Sequence, residues 1–257
     1  MATDRRNFLK LAGLTTLGMM LKPGWEMIGG NEVLAALSGK ETTGKQLAML
    51  IDVRKCMTQN NCTKCIEACH LYHNVPQIEA EEEEIKWIWQ ESFHHAFHEQ
   101  EHEYLEDELK HSNPLVLCNH CSSPPCVRVC PTGATWKRES DGIVMMDWHR
   151  CIGCRYCIVG CPYGSRSFNW SDPRPHLKEV NPEFPTRMKG VVEKCTFCEE
   201  RLARGQQPAC VEACTEQAMS FGDLHDKNSP LRAMLRDRYT IRRKPGLGTE
   251  PQVYYLV

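Results

Sequence analysis

The sequence predicts an α+β fold in which short helices and loops, rather than one large sheet, carry the organisation. Three observations predict it. Sixteen of the 257 residues are cysteines, and they fall into four groups of four with none left over. Residues 134–138 and 143–147 are short runs with apolar content that flank Glu139-Ser140-Asp141-Gly142, a hairpin signal. The apolar run 47–53 reads as a strand leading into the first cysteine group, while 85–110 carries a helical pattern of apolar residues.

The chain then divides in order. Residues 1–37 form a targeting segment, because Thr3-Asp4-Arg5-Arg6-Asn7-Phe8-Leu9-Lys10 looks like a twin-arginine export signal, followed by an uncharged stretch from Leu11 to Leu21. That stretch is shorter than the roughly 20 apolar residues a bilayer span needs. Val33-Leu34-Ala35 offers small residues for cleavage, and folded export would protect thiols that an oxidising compartment would otherwise pair. Residues 38–46 are a linker. Gly39 to Lys45 nearly spells a phosphate-binding loop, but Gln46 stands where the Mg²⁺-holding hydroxyl would be, and no clear strand precedes it.

Residues 47–117 hold the first cysteine group and an insertion, Leu71 to Pro114. Residues 118–168 hold the second and third groups. Residues 169–257 hold a proline-bearing loop, Asn169 to Met188, then the fourth group and the tail. Within the first insertion, His94, His98 and His102 share one face if 85–110 is a single helix. Surrounding glutamates make solvated charge the preferred reading over a metal stripe.

Charged residues make up 25% of the chain and apolar ones 41%, which suits a globular protein. A formal net charge of −2 supplies no basic stripe for nucleic acid, so that partner is excluded.

Cysteine spacing carries the chemistry. The third group, Cys151, Cys154, Cys157 and Cys161 followed by Pro162, puts three thiols within seven residues, so one tight loop can wrap three corners of an iron–sulfur cubane. The fourth cysteine points away from that loop, and in two-cluster proteins of this kind it serves the neighbouring cluster. The second group, Cys118, Cys121, Cys126 and Cys130, repeats the device with a wider loop. The first, Cys56, Cys62, Cys65 and Cys69, stretches its first gap to five residues; the fourth, Cys195, Cys198, Cys210 and Cys214, stretches its second to eleven. Structural zinc prefers two Cys-x2-Cys pairs set well apart, so a zinc-stabilised exported binding module is the alternative reading. A disulfide framework fits poorly with Cys-x2-Cys geometry.

The motifs Cys118-Asn119-His120-Cys121, Cys130-Pro131-Thr132-Gly133-Ala134, Arg150-Cys151-Ile152-Gly153-Cys154 and Lys194-Cys195-Thr196-Phe197-Cys198 resemble those of the iron–sulfur subunits of membrane-linked respiratory oxidoreductases, and so does the tail from Gly248 to Leu256. That family serves dimethyl sulfoxide, polysulfide, tetrathionate and nitrite reductases. The five-residue first gap, the export signal and the stretch from Glu82 to Trp89 most resemble the iron–sulfur subunit of the sulfite-reduction-associated membrane complex of the DsrMKJOP type. The likeness covers roughly residues 47–257. It departs from the family at Met57 to Asn61 and at Thr215, where the family commonly has proline; neither removes a cysteine.

The resemblance implies two ferredoxin-like halves and four [4Fe–4S] clusters. Its ligand sets become Cys56, Cys62, Cys65 with Cys214; Cys195, Cys198, Cys210 with Cys69; Cys118, Cys121, Cys126 with Cys161; and Cys151, Cys154, Cys157 with Cys130. For the second and third groups the spacing agrees; for the first and fourth the pairing rests on the family. It further implies an electron-transfer subunit with no catalytic centre of its own. Its place would be in a hetero-oligomer at the periplasmic face of the cytoplasmic membrane, between a polytopic quinone-interacting subunit and a redox partner such as a multihaem cytochrome c or a molybdenum enzyme.

No Cys-x2-Cys-His is present, so no c-type haem is expected on this chain. His70, beside Cys69, reads as a packed or solvated residue, and His120 and His149 as makers of local hydrogen bonds. Lys55, Arg150, Arg155 and Lys194 adjoin cysteines; surface charge and offset of cluster charge are equally open for them.

Overall fold

The computed structural model describes residues 44–59 and 62–257. The export signal, its apolar stretch and cleavage residues, and the linker up to Thr43 lie outside the described residues.

The expected first strand forms as β1, Leu47–Asp52, buried along almost its whole length. Asp52 ends it and caps α1, Val53–Met57, by accepting from the Lys55 amide at 3.0 Å. Helix α2, Lys64–Tyr72, buries Cys65 and Cys69. The helix expected over 85–110 does not form as one element. Ile88–Gln90 is a strand, β2, then come α3, Phe93–Phe97, a 3₁₀ turn at His98–Gln100, and α4, Asp107–Lys110. The reason is local: Trp87-Ile88-Trp89 is a bulky run suited to a pleated surface, and it pairs antiparallel with β3, Leu115–Leu117, while Ser92 caps α3 from its own side chain. The three histidines therefore do not share a helix face. His94 pairs with Glu101, and His102 lies in a turn beyond the 3₁₀ segment.

Helix α5, Pro125–Arg128, precedes the hairpin of β4, Thr135–Lys137, and β5, Val144–Met146, in the register Thr135↔Met146. Gly142 supplies the positive φ of 78° that closes it. After α6, Tyr156–Val159, β6, Ser167–Phe168, pairs with β7, Val192–Glu193, across an insertion that is not simply extended: it bends repeatedly, with a 3₁₀ turn at Arg174–His176 and a further turn at 182–183. The chain continues through α7, Glu199–Leu202, α8, Ala209–Glu212, β8, Met219–Asp223, α9, Pro230–Asp237, β9, Thr240–Ile241, and β10, Val253–Leu256.

The largest sheet has the order β8-β1-β10-β9. Its first strand comes from near one end of the described chain and its partners from the other, with β1 parallel to β10 and antiparallel to β8. The core beneath it includes Met49, Ile51, Trp87, Phe93, Phe97 and Tyr255. The two insertions grip each other. Arg187 donates to the carbonyl of Asn74 at 2.7 Å and pairs with Glu193 at 2.6 Å, where both side chains are essentially solvent-free. Glu193 also accepts from Trp87 Nε1 and Asn169 Nδ2. No helix among the described residues is long and apolar enough to cross a membrane.

Candidate metal centres

Two helix pairs carry the cysteines. Helix α2 packs against α8, and α5 against α6. Each of α5, α6 and α8 buries one cysteine (Cys126, Cys157, Cys210) and places the last cysteine of its group just past its end, at Cys130, Cys161 and Cys214; α2 instead holds both Cys65 and Cys69. The loops before these helices need unusual backbone. Gly153 and Arg155 have φ of 68° and 63°, and Phe197 and Cys198 have φ of 57° and 53°. At Gly153 a Cβ would sit 2.4 Å from the Gly190 carbonyl oxygen, so only glycine fits. Amides turn toward sulfur: Phe197 N donates to Cys195 Sγ and Ala209 N to Cys198 Sγ, both at 3.4 Å, and Ala218 N donates to Cys214 Sγ at 3.3 Å.

The electrostatics sort the thiols into sets that mix sequence groups. Burial, then the thiols of Cys198, Cys210 and Cys195, push Cys69 well above its ordinary range. Burial, Cys214 and Cys62 push Cys56 up to about 11, and burial with Cys56, Cys214 and Cys62 pushes Cys65 up to about 12. Cys121 is pushed up to about 12 by burial and Cys118, with smaller effects from Cys126 and Cys161. Cys161 is raised by burial, by Cys118 and by Cys126. Cys130, Cys151, Cys154 and Cys157 line one small cavity. At Cys130 burial acts upward, but hydrogen bonds from Thr135, Thr132 and Ala134 prevail and lower the thiol. So the first group meets the fourth, and the second meets the third. The halves also touch: after burial, the strongest influence on Cys195, itself pushed up to about 12, is Cys118.

Cations lie among the thiols. The guanidinium of buried Arg166 donates to Cys126 Sγ at 3.2 Å and to Thr135 Oγ1 at 2.8 Å. Burial disfavours its charge, yet Cys126, Cys157, Cys118 and Cys161 outweigh this and raise it. Of the four cations left open by sequence, Lys194 is fully buried and donates to the Cys195 carbonyl at 2.7 Å; Lys55, Arg150 and Arg155 are exposed. His120 accepts from the Val144 amide at 3.1 Å and stacks on Phe197 at 3.7 Å, and burial holds its imidazole far below the usual range. His149 is exposed, and its amide donates to Asp147. Burial lowers His70 to about 4, so it is a packed neutral side chain.

Two further residues reach the thiols without any motif to mark them, Arg166 and His73. Buried His73 sits with Nδ1 2.9 Å from the Cys69 carbonyl oxygen and 3.6 Å from its Sγ, and with Nε2 3.0 Å from Glu200. Its only sequence signal is a position four residues beyond Cys69 on a helix. Arg166 lies outside every cysteine motif; its one signal is a lone charge in the stretch from Tyr156 to Asn169.

These residues fit iron–sulfur clusters. All sixteen thiols are free rather than paired in disulfides. Thiols gathered in repulsive reach of one another, with amides and guanidinium aimed at sulfur, are ligand sets whose protons a metal displaces. The fold and these centres define a [4Fe–4S] electron-transfer protein. Residues 114–175 and 181–224 match the 4Fe-4S dicluster domain. The chain is 39% identical to the "Hdr-like menaquinol oxidoreductase iron-sulfur subunit 1" of Archaeoglobus fulgidus, over 98% of this chain and 97% of that one. It is 36% identical to the "Menaquinone reductase, iron-sulfur cluster-binding subunit" of Nitratidesulfovibrio vulgaris, over 81% and 87% of the two. With a tetrathionate reductase subunit of Salmonella typhimurium it shares 35% identity over 100% of this chain and 89% of the other. The chain belongs to this family of iron–sulfur electron-transfer subunits of respiratory oxidoreductases, and a zinc module is not what it resembles.

Proposed function

We propose that the sixteen cysteines hold four [4Fe–4S] clusters in the cross-ligated sets given above, 118–168 forming one two-cluster half and 47–117 with 169–257 the other. The observation that carries this is the company of Cys69, where after burial the strongest influences are Cys198, Cys210 and Cys195, ahead of Cys65 of its own group. The clusters relay electrons between a polytopic membrane subunit that exchanges electrons with quinone and a second redox subunit, a multihaem cytochrome c or a molybdenum enzyme. The influence of Cys118 on Cys195 supports a continuous path from one half to the other. Menaquinol and menaquinone in the names of two relatives support a quinone at one end. A complex of the DsrMKJOP type is our choice among those the family serves. Iron and acid-labile sulfide should each come to sixteen per chain, with broad absorption near 400 nm as such clusters show. Zinc in their place would sink the proposal.

We place the protein at the periplasmic face, exported folded by the twin-arginine route, on the strength of Arg5-Arg6 and the short apolar stretch behind them. Replacing both arginines with lysine should leave cluster-loaded protein in the cytoplasm. Unchanged export would remove the basis for this location.

A further inference from the structure

The two halves repeat one device, and comparing them isolates a surface that the fold does not require. Setting Cys157–Cys161 against Cys65–Cys69, and Cys126–Cys130 against Cys210–Cys214, brings Ile158 opposite Ile66 and Val127 opposite Val211, half-buried in both halves. The outward positions diverge. Where one pair presents Lys64, Glu67 and Glu212, the other presents Tyr156, Val159 and Arg128, all exposed. The same packing is therefore compatible with charge at these places, and the apolar residues there serve something else.

Tyr156 and Val159 stand three apart on α6, on one face of it. Val159 is 88% exposed, Ile152 66% and Tyr156 61%. Val129 joins them across the helix pair, since a Cβ on Gly160 would lie 3.1 Å from its Cγ2. On the other flank the Arg155 guanidinium lies 4.7 Å from the exposed Trp170 ring. Scattered apolar residues on a surface are ordinary; a contiguous group with a polar rim marks an interaction site. The rim is cationic. Residues 124–138 and 148–165 hold Arg128, Lys137, Arg138, Arg150 and Arg155; Arg138 is paired with Asp141 and Glu199 and Arg150 with Asp147, while among the described residues Arg128 and Arg155 make no ion pair. The equivalent stretches of the other half, 56–73 and 208–222, hold Glu67, Glu212 and Glu216 against the single cation Lys64.

We infer that this face docks a redox subunit of the same complex through an apolar protein surface rimmed by carboxylates. The charge of the rim selects the acidic partner. The position selects a redox partner, because Ile152 lies between Cys151 and Cys154 and Tyr156 between Cys154 and Cys157, so the patch sits directly on a proposed cluster-ligand segment. The inference rests on the ligand set proposed above. A bilayer surface would satisfy the rim but accept no electron.

The test uses the tagged full chain purified with its complex from its own membranes in mild detergent. Val159→Glu should lower about ten-fold the recovery of one co-purifying subunit that carries a cofactor, the scale of a central interface residue. Iron per chain and the cluster signals in electron paramagnetic resonance should stay at wild-type levels. Glu67→Gln, on the equivalent position of the other half, should change nothing. Should Val159→Glu lose iron, a photo-cross-linker decides: Tyr156→p-benzoylphenylalanine should join to that same subunit and Lys64→p-benzoylphenylalanine should not. The inference is overturned if Val159→Glu keeps its full set of subunits, if position 156 cross-links to a second copy of this chain, or if the variant loses only flotation with phosphatidylglycerol vesicles. Wild-type iron well short of four clusters would instead overturn the ligand sets, a separate failure.

Discussion

Lys194 donates from its ammonium to the carbonyl of Cys195 at 2.7 Å, at a point where its side chain has no access to water. Burial, aided by nearby Arg166, lowers its proton affinity overall, against the opposing pull of Cys118, Cys195 and Cys126. Bound clusters carry negative charge in the same place, so the ammonium favours the reduced, more negative state. Lys194→Met should make the midpoint potential of a cluster bound by Cys118 or Cys195 more negative, on the order of 50 mV. Redox titration followed by electron paramagnetic resonance reads this directly. Unchanged potentials would mean that the charge is not felt.

Cross-ligation separates sequence order from cluster membership. Cys69→Ala and Cys195→Ala should damage one and the same cluster, and Cys56→Ala and Cys214→Ala another. Loss of a ligand should leave a three-iron centre with its own resonance. Removal of one signal by both Cys69→Ala and Cys56→Ala, with Cys195→Ala leaving it intact, would refute the assignment.

Arg187, in the second insertion, forms a buried ion pair with Glu193 of β7. Arg187→Met strands a carboxylate in the interior, which costs about 3–5 kcal/mol. The melting temperature of the cluster-loaded protein should drop by roughly 10 °C. Arg187→Met with Glu193→Gln should recover much of that loss, because the uncompensated charge is gone. A single variant that melts like wild type would show that the pair adds nothing.

Stripping iron should unfold the cysteine-bearing halves. Without metal nothing ties the thiols of a set together or holds their loops in place, and metal binding here is folding free energy. Chelation under reducing conditions should abolish cooperative melting and open the chain to protease between the second and third cysteine groups. Persistence of the native melting transition in iron-free protein would contradict this.

Local signals were legible wherever chemistry is local. The thiol spacings, the strand at 47–52 and the Asp141-Gly142 hairpin could all be read from neighbouring residues. The stretch 85–110 misled because its apolar residues fit a helical period while Trp87, Ile88 and Trp89 favour a pleated partner, Leu115–Leu117, that only tertiary structure reveals. Arg166 and His73 were illegible for a related reason. Each touches a thiol that lies elsewhere along the chain or one helical turn back, and nothing about an arginine or a histidine alone announces a sulfur neighbour. Lys194 was visible as a cation beside Cys195, but its burial was not.

The parallel pairing of Leu47–Asp52 with Val253–Leu256 sets a timetable for biogenesis. A ribosome releases the first strand long before this parallel partner exists, so the pairing forms only after Val253–Leu256 have been translated. Cys56 to Cys69 wait through that interval for Cys195 to Cys214, which also arrive late. Cluster delivery to that half therefore waits until Cys195 to Cys214 have been made, and a chain cut short of them cannot assemble it.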